Sequence, residues 1–290
     1  MPSLKEIRAR INSVASTEKI TSAMKMVAAA KLKKSESLTL SFQPYRQKLT
    51  EALSNYLSTL EESIEIPLAE HREVRRVALI AFSSSSGLCG AFNTNANRLF
   101  KKTYDDYAKR LGSDHVEVFL YGKKINDYAA RNGIPVNTSY EGLNEKLSFE
   151  NAAALSDQMV EKFLRHNLDE VVMLYNHHKN AGVQTPQTEI VLPLATDTLP
   201  PGKWLDYIVE PSKDEFINEL IPKVIRTKFY AIMLDTFTAE HGARMTAMHI
   251  ASDNANTLLQ ELRTQYNKAR QNVITNELID IVGGAEAIQS

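Results

Sequence analysis

Apolar and small residues recur at steps of three and four along both ends of the chain. At the N-terminal end the series runs Leu4, Ile7, Ile11, Val14, Thr17, Ile20, Met24, Val27, Ala30, Lys34, Leu38, Phe42, Tyr45, Leu49, Leu53, Tyr56, Leu60 and Ile64. At the C-terminal end it runs Met245, Met248, Ala251, Ala255, Leu258, Leu262, Tyr266, Ala269, Val273 and Asn276. This period predicts two amphipathic helices, each with one face against a partner helix. Both exceed the usual length of a globular helix, so we expect them to pair with each other as an antiparallel coiled coil.

The residues between these ends show a different pattern, in which apolar runs alternate with helical segments. Strands are predicted at Val74–Phe82, His115–Tyr121, Glu170–Tyr175, Thr188–Leu194 and Tyr207–Val209. Helices are predicted at Thr94–Leu111, Lys123–Asn132 and Phe149–Asn167. This alternation is typical of an α/β layer with partly parallel strands.

The predicted fold class is an α/β body inserted in a long antiparallel two-helix coiled coil formed by the N- and C-terminal segments. The predicted domains are a discontinuous coiled-coil shaft, residues 1–66 plus 212–290, and a Rossmann-like globular foot, residues 74–210.

Local signals mark the ends and weak points of the predicted helices. Ser3 followed three residues later by Glu6 is the capping-box pattern of a helix start. Pro44 and Pro222 fall inside helical patterns, where each removes a hydrogen bond and predicts a bend. The glycine pair that begins at Gly283 is expected to cap the last helix.

Composition places the chain among ordinary globular proteins. It has 290 residues, of which 43% are hydrophobic and 24% charged, enough for about two domains. No apolar run is long enough to span a membrane, and the first residues lack the apolar core of a signal peptide, so we expect no export by that route. The single cysteine, Cys89, excludes an internal disulfide and fits a reducing compartment.

The net charge of −1 hides a basic N-terminal segment. Residues 1–34 carry eight Lys or Arg against two Glu, a balance of +6. Two interpretations stay open: a solvated helix face, or a basic shaft that faces acidic protein surfaces. Nucleic acid is less favoured, because no aromatic residues are interleaved with the bases and the pI of the whole chain is about 6.7.

Candidate chemistry is sparse. The glycine-rich motifs that cradle nucleotide phosphates do not occur. His177 and His178 are adjacent on a predicted strand and would point to opposite faces, which argues against a metal site. The loop 83–93 follows the first strand, where α/β folds place ligands, and Cys89 in it is a candidate nucleophile. No histidine lies in that loop, so the alternative is a tight turn around a small buried thiol.

Three segments together resemble one family. They are KEIRARINSVASTEKITSAMKMVAAAKLKK near the N-terminus, GLCGAFN after the first strand, and ARMTAMHIASDNANTLLQELRTQYNKARQNVITNELIDIVGGAEA near the C-terminus. In this order they closely resemble the gamma subunit of the F-type ATP synthase, bacterial type, which is that enzyme's central rotating stalk. The middle of the chain matches mainly in layout and in the loop. The chain differs from the family pattern at Ser85, Ser86, Ala91 and His249, and it lacks the cysteine pair of the chloroplast members.

The resemblance implies a mechanical role in ATP synthesis. The helical pair would be the axle inside the hexamer of alternating alpha and beta subunits, present in one copy per complex. The foot would sit with the epsilon subunit on the membrane-embedded ring of c subunits, on the cytoplasmic face of the bacterial inner (plasma) membrane. Ion flow would turn the ring and this subunit, which would drive the catalytic beta subunits through their states. The resemblance implies no catalytic site, cofactor, metal, nucleic acid or small-molecule substrate of its own.

The resemblance also carries individual contacts onto this sequence. Those implied with the alpha and beta subunits are Arg8, Met24, Lys25, Arg244, Gln271, Thr275 and Glu277. Those implied with the c ring are Tyr207 and Glu210, in the segment WLDYIVEP. The helix tip of the family lies in an apolar sleeve, so the glycine pair at Gly283 would alternatively allow close packing there.

Two alternatives differ in function class. The chain could be a static adaptor whose coiled coil binds partners, or an α/β enzyme that uses the Cys89 loop and has its helices as a dimerisation arm. The rotor hypothesis requires the terminal helices to pair within one chain. The enzyme hypothesis requires a base within hydrogen-bond reach of Cys89.

Overall fold

The structure, a computed structural model, describes residues 3–58, 66–140, 147–195 and 213–289. Its helices are α1 (Leu4–Ser58), α2 (Phe92–Leu111), α3 (Lys123–Arg131), α4 (Phe149–Leu164) and α5 (Lys213–Gln289). Its strands are β1 (Val77–Phe82), β2 (Val116–Tyr121), β3 (Thr138–Tyr140), β4 (Glu170–Asn180) and β5 (Val183–Leu192). Among the residues described, no helix is long and apolar enough to cross a membrane.

The five strands form one sheet in the order β3-β2-β1-β4-β5. The first four run parallel, and β5 returns antiparallel to β4 as a hairpin. β1 lies at the centre and is buried along its whole length, which explains its unbroken apolar sequence VALIAF. The predicted α/β layer with partly parallel strands is therefore confirmed.

Helices cover both faces of the sheet, so each face of β1 has its own core. On one face Ala78, Ile80 and Phe82 pack with buried residues of α1, α4 and α5. On the other face Val77, Leu79 and Ala81 pack with α2 and α3. The alternation along β1 assigns successive side chains to opposite layers, as the period of a strand requires. The C-terminal part of α1 and the N-terminal part of α5 therefore contribute to the core that forms around the sheet.

Most predicted elements of the body occur within a few residues of their predicted bounds, and the differences have physical causes. β3 was not predicted, because Thr138–Tyr140 has three residues and no apolar run. β4 extends beyond the predicted Tyr175 to Asn180, and β5 begins at Val183 instead of Thr188. These added parts are mostly polar, and the tip of the hairpin that they form, at Lys179 and Asn180, is exposed. The predicted strand Tyr207–Val209 lies outside the described residues.

By compactness the chain divides into two units, residues 28–244 and residues 1–27 with 245–290. In the second unit the start of α1 pairs with α5 in an antiparallel sense. Arg8 donates from Nη2 to the hydroxyl of Tyr266 at 3.0 Å, and Thr21 and Ser252 share a hydrogen bond of 2.8 Å between their hydroxyls. Residues with higher numbers on α1 thus pair with residues with lower numbers on α5, as in an antiparallel pair. The predicted intrachain pairing is confirmed, while the predicted domain boundaries at residues 66, 74, 210 and 212 stay a prediction.

The stripe of α1 that loses solvent agrees with the predicted one as far as Val14 and again at Met24, Phe42, Leu49, Leu53 and Tyr56, but it differs at several positions between them. Ile20 is 60% exposed and Val27 58% exposed, although both were predicted to face the partner helix. Among the positions that lose solvent, one series recurs in heptads: Ile7, Ile11, Val14, Glu18, Thr21, Lys25, Ala28, Leu32 and Ser35. Between Val14 and Leu32 the residues of this series are small or polar, while the larger Ile20 and Val27 face outward.

The stripe of α5 matches the prediction at most positions but not at Leu258. Leu258 is 38% exposed, whereas its neighbour Leu259 is 7% exposed. The positions that lose solvent include Met248, Ala251, Ser252, Ala255, Leu259, Leu262, Tyr266 and Ala269. From residue 270 to residue 282 every position of α5 is exposed. The predicted contacts of Val273 and Asn276 with the partner helix of the same chain are therefore wrong.

The helix ends and interior prolines complete the comparison. The capping box is confirmed, since the backbone N–H of Glu6 donates to Ser3 Oγ and that of Ser3 to Glu6 Oε2. Pro44 and Pro222 lie inside α1 and α5, which continue past them as single helices. The helix also runs through Gly283 to Gln289, so the expected cap at Gly283 is wrong.

Candidate functional site

The loop between β1 and α2, residues 83–91, is held in a fixed shape at the carboxyl end of β1. Leu88 and Gly90 have positive φ values of 62° and 58°. The amide of Asn93 donates to Ser84 Oγ at 2.8 Å, and its carbonyl accepts from the Ser84 backbone N–H at 3.0 Å. A leucine in the left-handed region costs about 1–2 kcal/mol, so the surrounding bonds must impose that conformation. The loop thereby presents Leu88 to solvent.

Cys89 faces inward from the same loop. Its thiol accepts from Asn93 Nδ2 at 3.2 Å and lies 3.6 Å from Ser84 Oγ. Burial is the main cause that raises the pKa of the Cys89 thiol above its ordinary value. Neither an amide nor a serine hydroxyl is a base at neutral pH, so these contacts do not generate a thiolate.

Arg244 of α5 fastens this loop to the helix. Its Nη1 forms an ion pair of 2.7 Å with Glu240, one turn earlier, and its Nη2 donates to Ser86 Oγ at 2.9 Å. Arg244 is only 8% exposed. Its predicted contact with an alpha or beta subunit would therefore have to compete with bonds inside the chain, and its local task is to position the Ser86 loop.

The crevice in which α/β sheets usually bind ligands is occupied by the chain itself. Connections leave β1 and β4 in opposite directions, which makes their carboxyl ends the switch point of the sheet. Here Cys89 and Phe92 pack with Ala239 and Ala243 of α5. The amide of Asn176, at the end of β4, donates to the Phe92 carbonyl at 3.3 Å. Residues of α5 thus occupy the switch point of the sheet.

The two adjacent histidines of β4 connect the hairpin to the two long helices. His177 Nδ1 lies 2.6 Å from Asp235 of α5, and His178 Nε2 lies 3.4 Å from Glu36 of α1. The described residues contain no group of three or more metal-ligating side chains that could hold an ion. The histidines thus act as links between elements.

The remaining predicted contacts with the alpha and beta subunits lie in the unit of residues 1–27 and 245–290. Arg8 is exposed but engaged with Tyr266 through its hydrogen bond and through its guanidinium, 5.6 Å from the ring centroid. Met24 and Lys25 are half-buried. Gln271, Thr275 and Glu277 are all exposed on the part of α5 that lacks a helical partner among the described residues. Tyr207 and Glu210, predicted for the c ring, lie outside the described residues.

Sequence reasoning missed a set of outward-facing apolar residues beside these contacts. Ile20, Met26 and Val27 are exposed on α1. On α5 the exposed set is Val273, Ile274, Leu278, Ile279, Ile281 and Val282. Large apolar side chains in water mark a surface that another protein covers. The signal was present in the sequence as apolar residues outside the seam, but the seam could not be located without the pairing.

Comparisons with known proteins agree with this architecture over nearly the whole chain. The family model described as ATP synthase matches residues 3–288. A gamma chain of ATP synthase from Flavobacterium johnsoniae is 48% identical over 289 residues, which is 99% of this chain and 99% of that protein. The one from Bacteroides fragilis is 47% identical over 292 residues, which covers 99% of this chain and all of that protein. This chain belongs to the ATP synthase gamma chain family.

Two solved structures share the fold of this chain. The central stalk and c-ring structure of the Tetrahymena thermophila mitochondrial ATP synthase gives a TM-score of 0.60 at 25% identity, over 80% of this chain and 99% of that chain. The Euglena gracilis mitochondrial ATP synthase gives a TM-score of 0.67 at 18% identity, over 98% of this chain and 94% of that one. The fold of this chain thus recurs at low sequence identity.

Proposed function

We propose that this chain is the central rotor stalk subunit of an F-type ATP synthase. It couples ion-driven rotation of a membrane c ring to the conformational cycle of catalytic beta subunits, and so to ATP synthesis. The observation that carries the proposal is the match of the whole chain to ATP synthase gamma chains at 47–48% identity. The pairing of the terminal helices within one chain agrees with it.

The contact face for the alpha and beta subunits is built from polar residues and exposed apolar ones. We assign to it Arg8, Met24, Lys25, Gln271, Thr275 and Glu277, together with the exposed Ile20, Met26 and Val27. Apolar area supplies adhesion that tolerates rotation, because it has no preferred direction. Charged and polar groups supply contacts that differ between beta conformations, which coupling requires.

Arg244 contributes to this function by positioning a loop of the same chain. Because its guanidinium binds Glu240 and Ser86, it holds the exposed Leu88 loop against α5. We assign the loop to a partner contact and Arg244 to its positioning.

The foot is the part that we assign to the epsilon subunit and the c ring. Tyr207 and Glu210 are the proposed c-ring contacts. This places the chain as a peripheral subunit at the cytoplasmic face of the inner membrane of a bacterium, in one copy per complex.

We further propose that the chain has no catalytic site of its own. The buried Cys89 thiol contacts an amide and a hydroxyl, and α5 fills the crevice at the switch point of the sheet. Both features weaken the alternative of an enzyme that uses this loop.

The deciding experiment locks the rotor to a stationary neighbour. Met24→Cys is paired with a cysteine in a beta subunit, and the purified complex is assayed for ATP synthesis and coupled hydrolysis before and after disulfide formation. Oxidation should abolish both activities, and reduction should restore them.

The matched control carries Met24→Cys without the cysteine in the beta subunit, and it should keep its activity under the same oxidation. Undiminished turnover in fully cross-linked complexes would instead support the static adaptor.

A further inference from the structure

A cavity of about 490 Å³ lies among α1, the β4–β5 hairpin and α5, entirely within residues 28–244. This volume falls in the range of small-molecule sites, about 300–1,000 Å³. Phe42, Ile232 and Leu234 supply apolar wall, and Leu40 stands in the lining although it is 69% exposed. The lining is mixed, and its apolar part favours a ligand with a hydrocarbon segment.

Most charged groups of the cavity are already paired. Lys228 Nζ lies 3.0 Å from Glu189. The carboxylate of Asp235 is bound by His177 Nδ1 at 2.6 Å and by the backbone N–H of His178 at 2.9 Å. These groups form the frame of the cavity, and a ligand would gain little from them.

Two opposite charges are left with weak partners. Among the described residues, the half-exposed carboxylate of Glu36 has one ion-pair contact, 3.4 Å from His178 Nε2. Arg46 has no side-chain hydrogen bond or ion pair with any residue that the structure describes. Both lie on α1, ten residues apart, which corresponds to about 15 Å along the helix. Between them the lining of α1 contains the apolar Leu40 and Phe42 together with two polar residues, so this side of the helix carries an anion, a mixed stretch with apolar area, and a cation.

We propose that this cavity binds a small molecule with an ammonium group and a carboxylate at opposite ends of an unbranched hydrocarbon chain. The ammonium pairs with Glu36, the carboxylate pairs with Arg46, and the chain lies against Phe42 and Ile232. An arginine presents a fork of donors that matches a carboxylate. A ligand with one charged end would satisfy one of the two groups and leave the other facing its hydrocarbon.

The test compares three probes of equal chain length on the full-length chain: 8-aminooctanoate, octanoate and octylamine. Dissociation constants are measured by isothermal titration calorimetry and ligand-observed NMR. We expect 8-aminooctanoate to bind at least tenfold more tightly than either singly charged probe. Glu36→Gln should remove its advantage over octanoate, and Arg46→Gln should remove its advantage over octylamine.

Matched controls use the same exchanges elsewhere on α1. Glu51→Gln and Lys48→Gln change an exposed pair that does not line the cavity, and they should leave all three dissociation constants unchanged. Thermal melting of each variant verifies that it folds. Equal affinity for the three probes, no binding, or an equal loss in the control variants would overturn the proposal.

Discussion

Individual residues of the foot tolerate substitution very unevenly, and glycine shows this most clearly. Gly122 has φ of +102°, and a Cβ placed on it would lie 2.2 Å from the carbonyl oxygen of Ser83. Ser83 also accepts the backbone N–H of Ile125 through its Oγ at 2.9 Å, so it has little room to move. The β2–α3 turn therefore requires glycine.

Gly122→Ala should destabilise the chain by at least about 3 kcal/mol, because a disfavoured backbone conformation and a collision act together. Urea unfolding followed by circular dichroism measures the effect. Gly87→Ala is the control, since nothing lies within 4 Å of an added Cβ there. Similar midpoints for the two variants would contradict the constraint at Gly122.

His241 is a second residue whose surroundings set a measurable property. It is buried on α5, and neither ring nitrogen has a hydrogen-bond partner among the described residues. Burial lowers the pKa of His241 to about 4, and the nearby Arg244 and Lys31 act in the same direction. The folded chain therefore holds this imidazole neutral at pH values where an unfolded chain would protonate it.

The consequence is a stability that falls with acidity. Above the unfolded pKa of about 6.5 the stabilisation is fully present, and it is lost as pH falls from about 6.5 toward 4, by up to about 3 kcal/mol. His241→Leu should flatten that part of the profile of unfolding free energy against pH. An unchanged slope in His241→Leu would refute the assignment.

At the scale of elements, the sequence predicts that the two long helices pair, but it does not predict which residues of α1 form the seam. The existence, direction and period of the pairing followed from the spacing of apolar residues. The register did not, because the prediction followed the largest apolar residues, Ile20 and Val27, whereas Thr21 is the residue that bonds across to α5. Small residues let helix axes approach closely, and the bond from Thr21 to Ser252 satisfies the polar groups in the seam.

The same reasoning explains the sheet. The buried strands β1, β2 and the first half of β4 have unbroken apolar sequences, so they were predicted to within a few residues. β3 and the start of β5 are held by neighbouring strands more than by their own sequence, and they carry no such signal. The residues that contact partner subunits are harder still to predict from the sequence, because the groups that would bury them are not in this chain.

The seam makes a direct prediction for two adjacent leucines of α5. Leu259→Ala should cost about 2–4 kcal/mol of unfolding free energy, because it empties a buried position, whereas Leu258→Ala should cost clearly less. Chemical unfolding monitored through helix content gives both values on the same chain. The reverse order would show that the stripe predicted from sequence, with Leu258 in contact, is the right one.

At the scale of the whole molecule, the exposed apolar residues of α5 make the isolated chain incomplete. Ile274, Leu278 and Ile281 recur at steps of four and three, so they share one helical face that water contacts in the free chain. A face of this kind drives association when its partner is missing.

We therefore expect the triple variant Ile274→Gln, Leu278→Gln and Ile281→Gln to remain monomeric at concentrations at which the unchanged chain aggregates. Glutamine keeps helix propensity, so the change removes apolar area and little else. Light scattering against concentration is the measurement. Val183→Gln with Ile190→Gln, two exposed apolar residues of β5, serves as the comparison and should help less. An equal gain from both sets would show that α5 has no special role in the association.

The seam also has a handedness. Among the positions of α5 that lose solvent, the series 248, 252, 255, 259, 262, 266 and 269 alternates steps of four and three. A mean step of 3.5 falls short of the 3.6 residues in a straight helical turn, so the two helices wind around each other to the left. Torque of one sense winds a left-handed two-helix coiled coil more tightly, and torque of the opposite sense unwinds it. The helical pair of this chain is therefore stiffer against twisting in one direction than in the opposite one.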